Sequence, residues 1–215
     1  MIYVAIVDHP DSGCADDLGK IAAALTRQCH EHFAPVYGVD ATVSTFSTLM
    51  PGAWTIGLFS DPDQPGVLGY HDLAPNGLPF AKVFPKLDAQ DGAALSTTIS
   101  HELLEMLADA WCIASFQGKD GNFWANEPCD AVEQDAYDID GVKVSNFVTP
   151  NWYGTGGACD YMGLCHQYEV RPGGYAQHFV PGTGWQQTQH GQVAPRSYRI
   201  EMQRRGIGRT SRRAA

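Results

Sequence analysis

Residues 100–107 read Ser-His-Glu-Leu-Leu-Glu-Met-Leu and place a histidine and two acids inside an apolar, helix-forming run. No Gly or Pro occurs from residue 93 to residue 110. Apolar side chains recur at intervals of three and four residues from Ile99 to Ala110, which is the period of an α-helix. The stretch therefore predicts a helix over residues 93–110.

On this helix His101 and Glu105 stand four residues apart and project from one face, with Cβ atoms about 5–6 Å apart. An imidazole nitrogen and a carboxylate oxygen at that separation can hold one divalent ion. Glu102 points to the side, where a water next to the ion would lie. The spacing predicts a metal site with His101 and Glu105 as ligands and Glu102 as the catalytic base.

The motif has the layout of the H-E-x-x-H zinc-peptidase helix with glutamate in place of the second histidine. Zinc accepts carboxylate oxygen as well as imidazole, so Zn²⁺ is the expected ion. The added negative charge reduces the Lewis acidity of the metal and admits Mn²⁺ or Ca²⁺ more readily. The alternative interpretation is an amphipathic helix whose acids face water.

Length and composition predict one domain. The chain has 215 residues, of which 44% are hydrophobic and 11% aromatic, and it has no uncharged apolar run of about 18 residues that would span a membrane. The apolar run at residues 1–7 is too short for a secretion signal, so a cytoplasmic protein is expected. Six cysteines include no C-x-x-C pair; Cys159 and Cys165 could form a disulfide or hold an ion with His166, but reduced thiols are favoured.

Charge divides the chain into an acidic body and a basic tail. Residues 1–195 hold 23 of the 24 acids and seven of the 14 basic side chains, whereas residues 196–215 hold seven arginines and one glutamate. An acidic body argues against nucleic-acid binding. The tail is predicted to be either an arm that docks on an acidic neighbour or on phosphates, or a solubilising end.

The order of elements predicts a mixed α/β (α+β) domain over residues 1–195. Strands are expected at residues 2–7, 41–46, 54–59, 66–72, 80–84, 111–116 and 137–148, and helices at residues 14–33 and 93–110. Frequent Gly and Pro after residue 150 predict a loop-rich C-terminal third. Residues 111–195 as a whole are therefore expected to form the loop-rich half of the domain.

The first half of the chain is predicted to contain strands that lead into an edge strand, followed by one more strand and a helix with His-Glu. This order resembles the N-terminal half of zincin-type metallopeptidases. The resemblance covers residues 1–110 as topology and residues 101–105 as motif. It implies a zincin-like sheet in which residues 67–71 form the edge strand that pairs with extended substrate. It therefore implies a peptidase that acts on polypeptide.

The same resemblance implies a third protein ligand, and residues 126–130 (Asn-Glu-Pro-Cys-Asp) offer two acids. Glu127 is slightly favoured over Asp130 as the ligand. The other acid would then accept the free ring N–H of His101 and fix its tautomer, a role for which Asp109 competes.

Hydrolysis needs a proton acceptor and a group that steadies the oxyanion. Glu102 is the predicted acceptor. Five side chains in the C-terminal third offer a phenol or an imidazole for the oxyanion, and the sequence does not choose among them: Tyr153, Tyr161, Tyr175, His166 and His178.

Residues 100–109, 140–148 and 171–176 also resemble uncharacterised proteins encoded by bacteriophages and prophages. This second resemblance implies a different class of function, a virion structural protein that keeps a zincin-like scaffold. Such a protein would either use its ion for rigidity or bind no ion. It would contact neighbouring subunits through the basic tail and enter the phage particle. Metal-dependent hydrolase and structural component are both left open by the sequence.

Overall fold

The structure is a computed structural model that describes residues 1–63, 67–154, 156–190, 192–195 and 210–213. It contains two large sheets and four α-helices within these ranges. This mixture of helix and strand confirms the α+β class. No helix in the described ranges is both long and apolar enough to cross a membrane.

The first sheet has six strands in the order β13-β4-β5-β3-β1-β2. Strands β1, β2, β3 and β5 are parallel, β4 is antiparallel to β5, and β13 at the edge is antiparallel to β4. The strands are β1 (Ile2–Asp8), β2 (Ala41–Phe46), β3 (Trp54–Leu58), β4 (Val67–Leu73), β5 (Pro79–Val83) and β13 (Thr210–Arg213). The five predicted strands of the first half are confirmed. Each of their ends lies within one residue of the predicted position.

The first helical region begins later than predicted. Asp17 accepts a hydrogen bond from the Lys20 amide (3.0 Å) and caps α1 (Leu18–Arg27), so the expected start at residue 14 is wrong. A π-helical segment (Gln28–Phe33) and α2 (Ala34–Tyr37) continue the helix.

The helix with the His-Glu motif is α4 (Leu95–Ala108), preceded by α3 (Pro85–Asp91), which the sequence pattern missed. All residues from Leu95 to Leu107 are buried, because α4 packs against β4 and β5 on one side and against β9 on the other. The alternative of a helix whose acids face water is therefore wrong.

Buried hydrogen bonds fix α4 in this position. The Ser100 hydroxyl donates to Gln28 Oε1 (2.7 Å) and accepts from the Ser145 amide (3.0 Å). Gln28 in turn donates to the Ser145 carbonyl (3.0 Å), so α4, the π-helical segment and β9 share one network.

The second sheet is antiparallel, in the order β12-β11-β10-β7-β6, with a separate hairpin of β8 and β9. Its elements are β6 (Ser115–Gln117), β7 (Phe123–Ala125), β10 (Tyr175–Val180), β11 (Gly184–Gln189) and β12 (Gln192–Pro195); the hairpin is β8 (Ala136–Ile139) and β9 (Val142–Ser145). The second half, expected to be rich in loops, thus contains seven strands, and residues 154–174 contain no named strand where they are described.

The predicted strand at residues 111–116 is also mostly wrong. The Asp109 carboxylate accepts from the amides of Ile113 (2.7 Å) and Ala114 (2.8 Å) and turns the chain after α4. Only Ser115–Gln117 is extended.

Two large apolar clusters form most of the core, and a small third one consists of Val67, Tyr70 and Phe84. The larger of the first two lies between the first sheet and the helices and includes β9, and the other surrounds Trp152 against the second sheet. Helix α4 and the segment after β7 meet between these two large clusters, which is where the predicted site residues lie. All six cysteines are free thiols.

Candidate metal centre

Two ligands predicted from the sequence lie side by side on α4. His101 Nε2 is 3.3 Å from Glu105 Oε1, and both side chains are completely buried. The i, i+4 spacing of one helix is enough to produce this contact.

Asp130 joins this pair from a different part of the chain. It begins a 3₁₀ turn (Asp130–Val132), and its Oδ1 lies 3.4 Å from His101 Nε2. The turn is held closely: the Arg171 amide donates to the Ala131 carbonyl (2.8 Å), and a Cβ on Gly174 would lie 2.7 Å from the carbonyl oxygens of Asp130 and Ala131. Glycine at residue 174 therefore allows β10 to press against the turn that presents Asp130.

A second histidine, His71 on β4, was not among the predicted ligands. Its Nδ1 lies 3.7 Å from both Glu102 Oε2 and Glu105 Oε2, and its Nε2 lies 3.9 Å from Glu127 Oε2. The signal available in the sequence was the alternation of β4, because residues 67, 69 and 71 share the face that meets α4.

The structure places the remaining predicted acids differently from the expectation. Glu127, the slightly favoured third ligand, faces His71 rather than His101. Glu102 is buried beneath Gly69 of β4, where an added Cβ would lie 2.9 Å from Glu102 Oε1. Asp109 ends α4 and accepts backbone amides, so it does not hold the His101 ring.

Among the five candidate phenols and imidazoles, Tyr153 lies close enough to the acids for its pKa to respond to them. Burial, followed by Tyr37, Glu127 and Glu105, raises the pKa of Tyr153 well above its usual value. In contrast, Tyr161 stacks on His32 and His178 on Trp124, and His166 is exposed. Tyr153 is thus a candidate phenol whose pKa burial and the acids of the centre raise, and Tyr37, which the sequence pattern missed, shares this environment because burial, followed by Cys129 and Glu105, also raises its pKa.

Desolvation dominates the electrostatics of the cluster. Burial, then the carboxyls of Asp130 and Glu102, raises the pKa of Glu105 well above its usual value. Burial also lowers the pKa of His71 to about 4, so this imidazole is neutral at pH 7 and keeps a lone pair for a ligand.

Cys129 adds a sulfur atom to the cluster. Its thiol groups with donor atoms of His101 and Glu105, all within 4.8 Å of one another. Burial, followed by Glu105, raises the pKa of this thiol, which keeps it protonated.

The donors of His101, Glu105 and Asp130 fit a divalent cation. Both ring nitrogens of His101 and all four carboxyl oxygens of Glu105 and Asp130 are buried without a hydrogen-bond partner among the described residues. Buried polar atoms normally have partners, because leaving them without one costs about 1–3 kcal/mol each. Ligands of tetrahedral zinc at about 2.0–2.2 Å are about 3.3–3.6 Å apart, and the contacts of 3.3 and 3.4 Å match that spacing.

Comparison with family models, curated proteins and solved structures gives no match for this chain.

Proposed function

We propose that this protein is a metal-dependent hydrolase whose divalent cation, Zn²⁺ in the first instance, is held by His101, Glu105 and Asp130. The observation that carries the proposal is that Glu105 Oε1 and Asp130 Oδ1 lie 3.3 and 3.4 Å from His101 Nε2, and that these three atoms are buried without a hydrogen-bond partner among the described residues. Their burial at 0–1% exposure means that they are not ordinary surface acids.

A divalent cation in such a centre supplies Lewis-acid polarisation of a carbonyl and activation of water. Glu102 follows His101 on α4, and its Oε1 lies beneath the backbone of β4 at Gly69. We assign to it the role of proton acceptor, as a general base. The Tyr153 hydroxyl, protonated at neutral pH, can donate a hydrogen bond to an oxygen on which negative charge develops.

The substrate class that we propose is an extended polypeptide. Strand β4 is the antiparallel strand next to the sheet edge, and β13 of the same chain now pairs with it, with Ser211 opposite Tyr70 and Arg212 opposite Gly69. A substrate strand in this place would use the same backbone hydrogen bonds, and β13 would have to leave first.

A specific observation favours a second candidate, a structural component of an assembly such as a virion. His71, His101 and the four nearby acids are at most 5% exposed, so a small ion could stay there but a polypeptide has no open path to it while β13 is in place. In that role the ion would bind ligands from both α4 and the segment after β7 and would hold these two elements together. The basic tail would contact neighbouring subunits.

Cleavage of an unfolded polypeptide by the metal-loaded protein tests the hydrolase. We expect Glu102→Gln to reduce the cleavage rate by about 10²–10⁴-fold while the cation at His101, Glu105 and Asp130 remains bound. Glu31→Gln is the matched control, because Glu31 is an exposed acid paired with Arg27 far from the centre.

Each outcome of this experiment has a distinct meaning. Bound metal without cleavage across a broad peptide library would favour the structural candidate. Absence of bound metal in the wild-type protein would contradict the metal centre itself.

A further inference from the structure

We infer that the centre holds two divalent cations, bridged by the carboxylate of Glu105, with His71 and Glu102 as ligands of the second. This inference rests on the proposed metal centre and extends it from one cation to two. It gives His71, which lies outside the motif of α4, the role of a metal ligand.

The two oxygens of Glu105 face two different histidines. Oε1 lies 3.3 Å from His101 Nε2, and Oε2 lies 3.7 Å from His71 Nδ1. Both oxygens are buried without a hydrogen-bond partner among the described residues. A carboxylate placed in this way presents one oxygen to each of two cations, and such cations are about 3.5–4 Å apart in two-metal enzymes.

The second set of donors is complete enough to hold an ion. Ligand atoms of His71, Glu102 and Glu105 all lie within 4.8 Å of one another, as do those of His101, Glu105 and Cys129, so Glu105 is shared by the two sets. Glu102 Oε2 is 3.7 Å from His71 Nδ1. The other oxygen of Glu102 faces Gly69 and remains the proton acceptor of the proposed hydrolysis.

Glu127 gains a defined role in this arrangement. Its Oε2 faces His71 Nε2 at 3.9 Å, on the opposite side of the ring from the donors. Histidine ligands commonly give their second ring N–H to a carboxylate, which fixes the tautomer and raises the basicity of the ligating nitrogen. Glu127 is therefore a positioning residue for His71.

The charge of the cluster agrees with two cations. Glu102, Glu105, Glu127 and Asp130 are at most 5% exposed, and their four carboxylates would need four positive charges for neutrality. One divalent cation supplies half of that charge, and two supply all of it. Asp109 is left out of this count because two backbone amides donate to its Oδ1 and offset part of its charge, although its Oδ2 is buried without a hydrogen-bond partner among the described residues.

Metal content of the wild-type full chain tests the inference directly. The protein is loaded with Zn²⁺, desalted, and analysed by mass spectrometry of the elements, with Mn²⁺ loading in parallel. We expect two ions per chain. One ion per chain would overturn the second site and leave the proposed function standing, whereas none would overturn both.

Substitutions assign the two sites. We expect His71→Ala and His101→Ala each to reduce the content from two ions to one, and the exposed His166→Ala to leave it at two, with folding checked by circular dichroism. Two ions retained in His71→Ala would contradict the assignment of His71.

Electron paramagnetic resonance of the wild type loaded with two Mn²⁺ tests the bridge independently of any variant. A carboxylate bridge couples the two spins, so we expect a broadened, exchange-coupled spectrum. Two isolated six-line signals would show that the ions are not bridged and would overturn the role of Glu105.

Discussion

At the scale of single residues, the proposed metal centre depends on which acid completes the coordination of His101. Glu127 and Asp130 are three residues apart, and the sequence slightly favours Glu127. The fold turns Asp130 toward His101 and Glu127 toward His71, because a turn at residues 128–129 separates the two acids. Two similar carboxylates thus have different roles.

The two acids should respond differently to removal of their charge. We expect Asp130→Asn to weaken zinc binding at the His101 site by more than about 100-fold, because it removes a direct ligand. Glu127→Gln should weaken zinc binding by at most about 10–100-fold, which is typical of a residue that orients a ligand. Competition with a chelating dye measures both affinities; equal or reversed losses would show that Glu127 is the third ligand.

Gly69 is a residue whose lack of a side chain matters to the site. A Cβ there would meet Glu102 Oε1 at 2.9 Å and the Lys82 carbonyl at 3.1 Å. We expect Gly69→Ala to displace Glu102, to destabilise the fold by about 1–3 kcal/mol through overpacking, and to reduce cleavage. Urea unfolding and cleavage rates measure the two effects.

Gly19→Ala provides the control for this substitution. Gly19 lies in the first turn of α1, away from the centre, where a Cβ would lie 3.3 Å from the capping oxygen Oδ1 of Asp17, so we expect Gly19→Ala to change stability little and to leave cleavage unchanged. If Gly69→Ala behaved like Gly19→Ala, Glu102 would not depend on the close approach of β4.

At the scale of elements, the C-terminal strand is the least expected feature. The sequence predicts that the basic tail finds its partner elsewhere, but Thr210–Arg213 pairs with β4 of its own chain. Backbone pairing needs no apolar side chains, and for this reason a polar, arginine-rich segment can add a strand to a sheet edge. The remainder of residues 196–215 lies outside the described residues, and docking on a neighbouring subunit stays a prediction.

Deletion of residues 204–215 tests what β13 does. If the protein is a hydrolase of polypeptides, the deletion frees the edge of β4, and we expect cleavage to increase several-fold with metal content unchanged. Deletion of residues 214–215 alone keeps Thr210–Arg213 and is the matched control. A cleavage rate that stays the same would show that substrate does not use this edge.

The same deletion tests the assembly role through sedimentation. An assembly that uses the arginine tail should weaken as salt rises, since exposed charges are screened over about 8–10 Å at physiological ionic strength. Loss of association in the deletion variant, with an intact fold, would support the structural candidate. Association that does not change would contradict it.

At the scale of the whole molecule, the centre connects the two halves of the chain. His101 and Glu105 belong to α4 beneath the first sheet, His71 belongs to that sheet, and Asp130 belongs to the segment that leads from β7 to the β8–β9 hairpin. A cation that binds all of them stabilises the folded state, because these residues are not together in the unfolded chain.

Removal of metal should therefore lower thermal stability. At a free metal concentration about 100 times Kd, binding contributes about 2.7 kcal/mol. For a chain of this size, that corresponds to a decrease of about 5–11 °C in Tm on chelation. Calorimetry with and without chelator measures it, with His101→Ala as the variant whose Tm should respond least.

The sequence by itself determined the local features of this protein. Helix α4, its pair His101 and Glu105, and the strands β1 to β5 follow from periodicities of 3.6 and 2 residues, which depend on neighbours a few positions apart. The mixed α+β class follows from the order of those elements. Tertiary structure alone decided that α4 is buried on all sides, that Asp130 rather than Glu127 reaches His101, that His71 joins the cluster, and that β13 covers β4. Each of these depends on contacts between residues about 20 or more positions apart, and such contacts are set by how the packed elements fill space, which no local pattern of residues encodes.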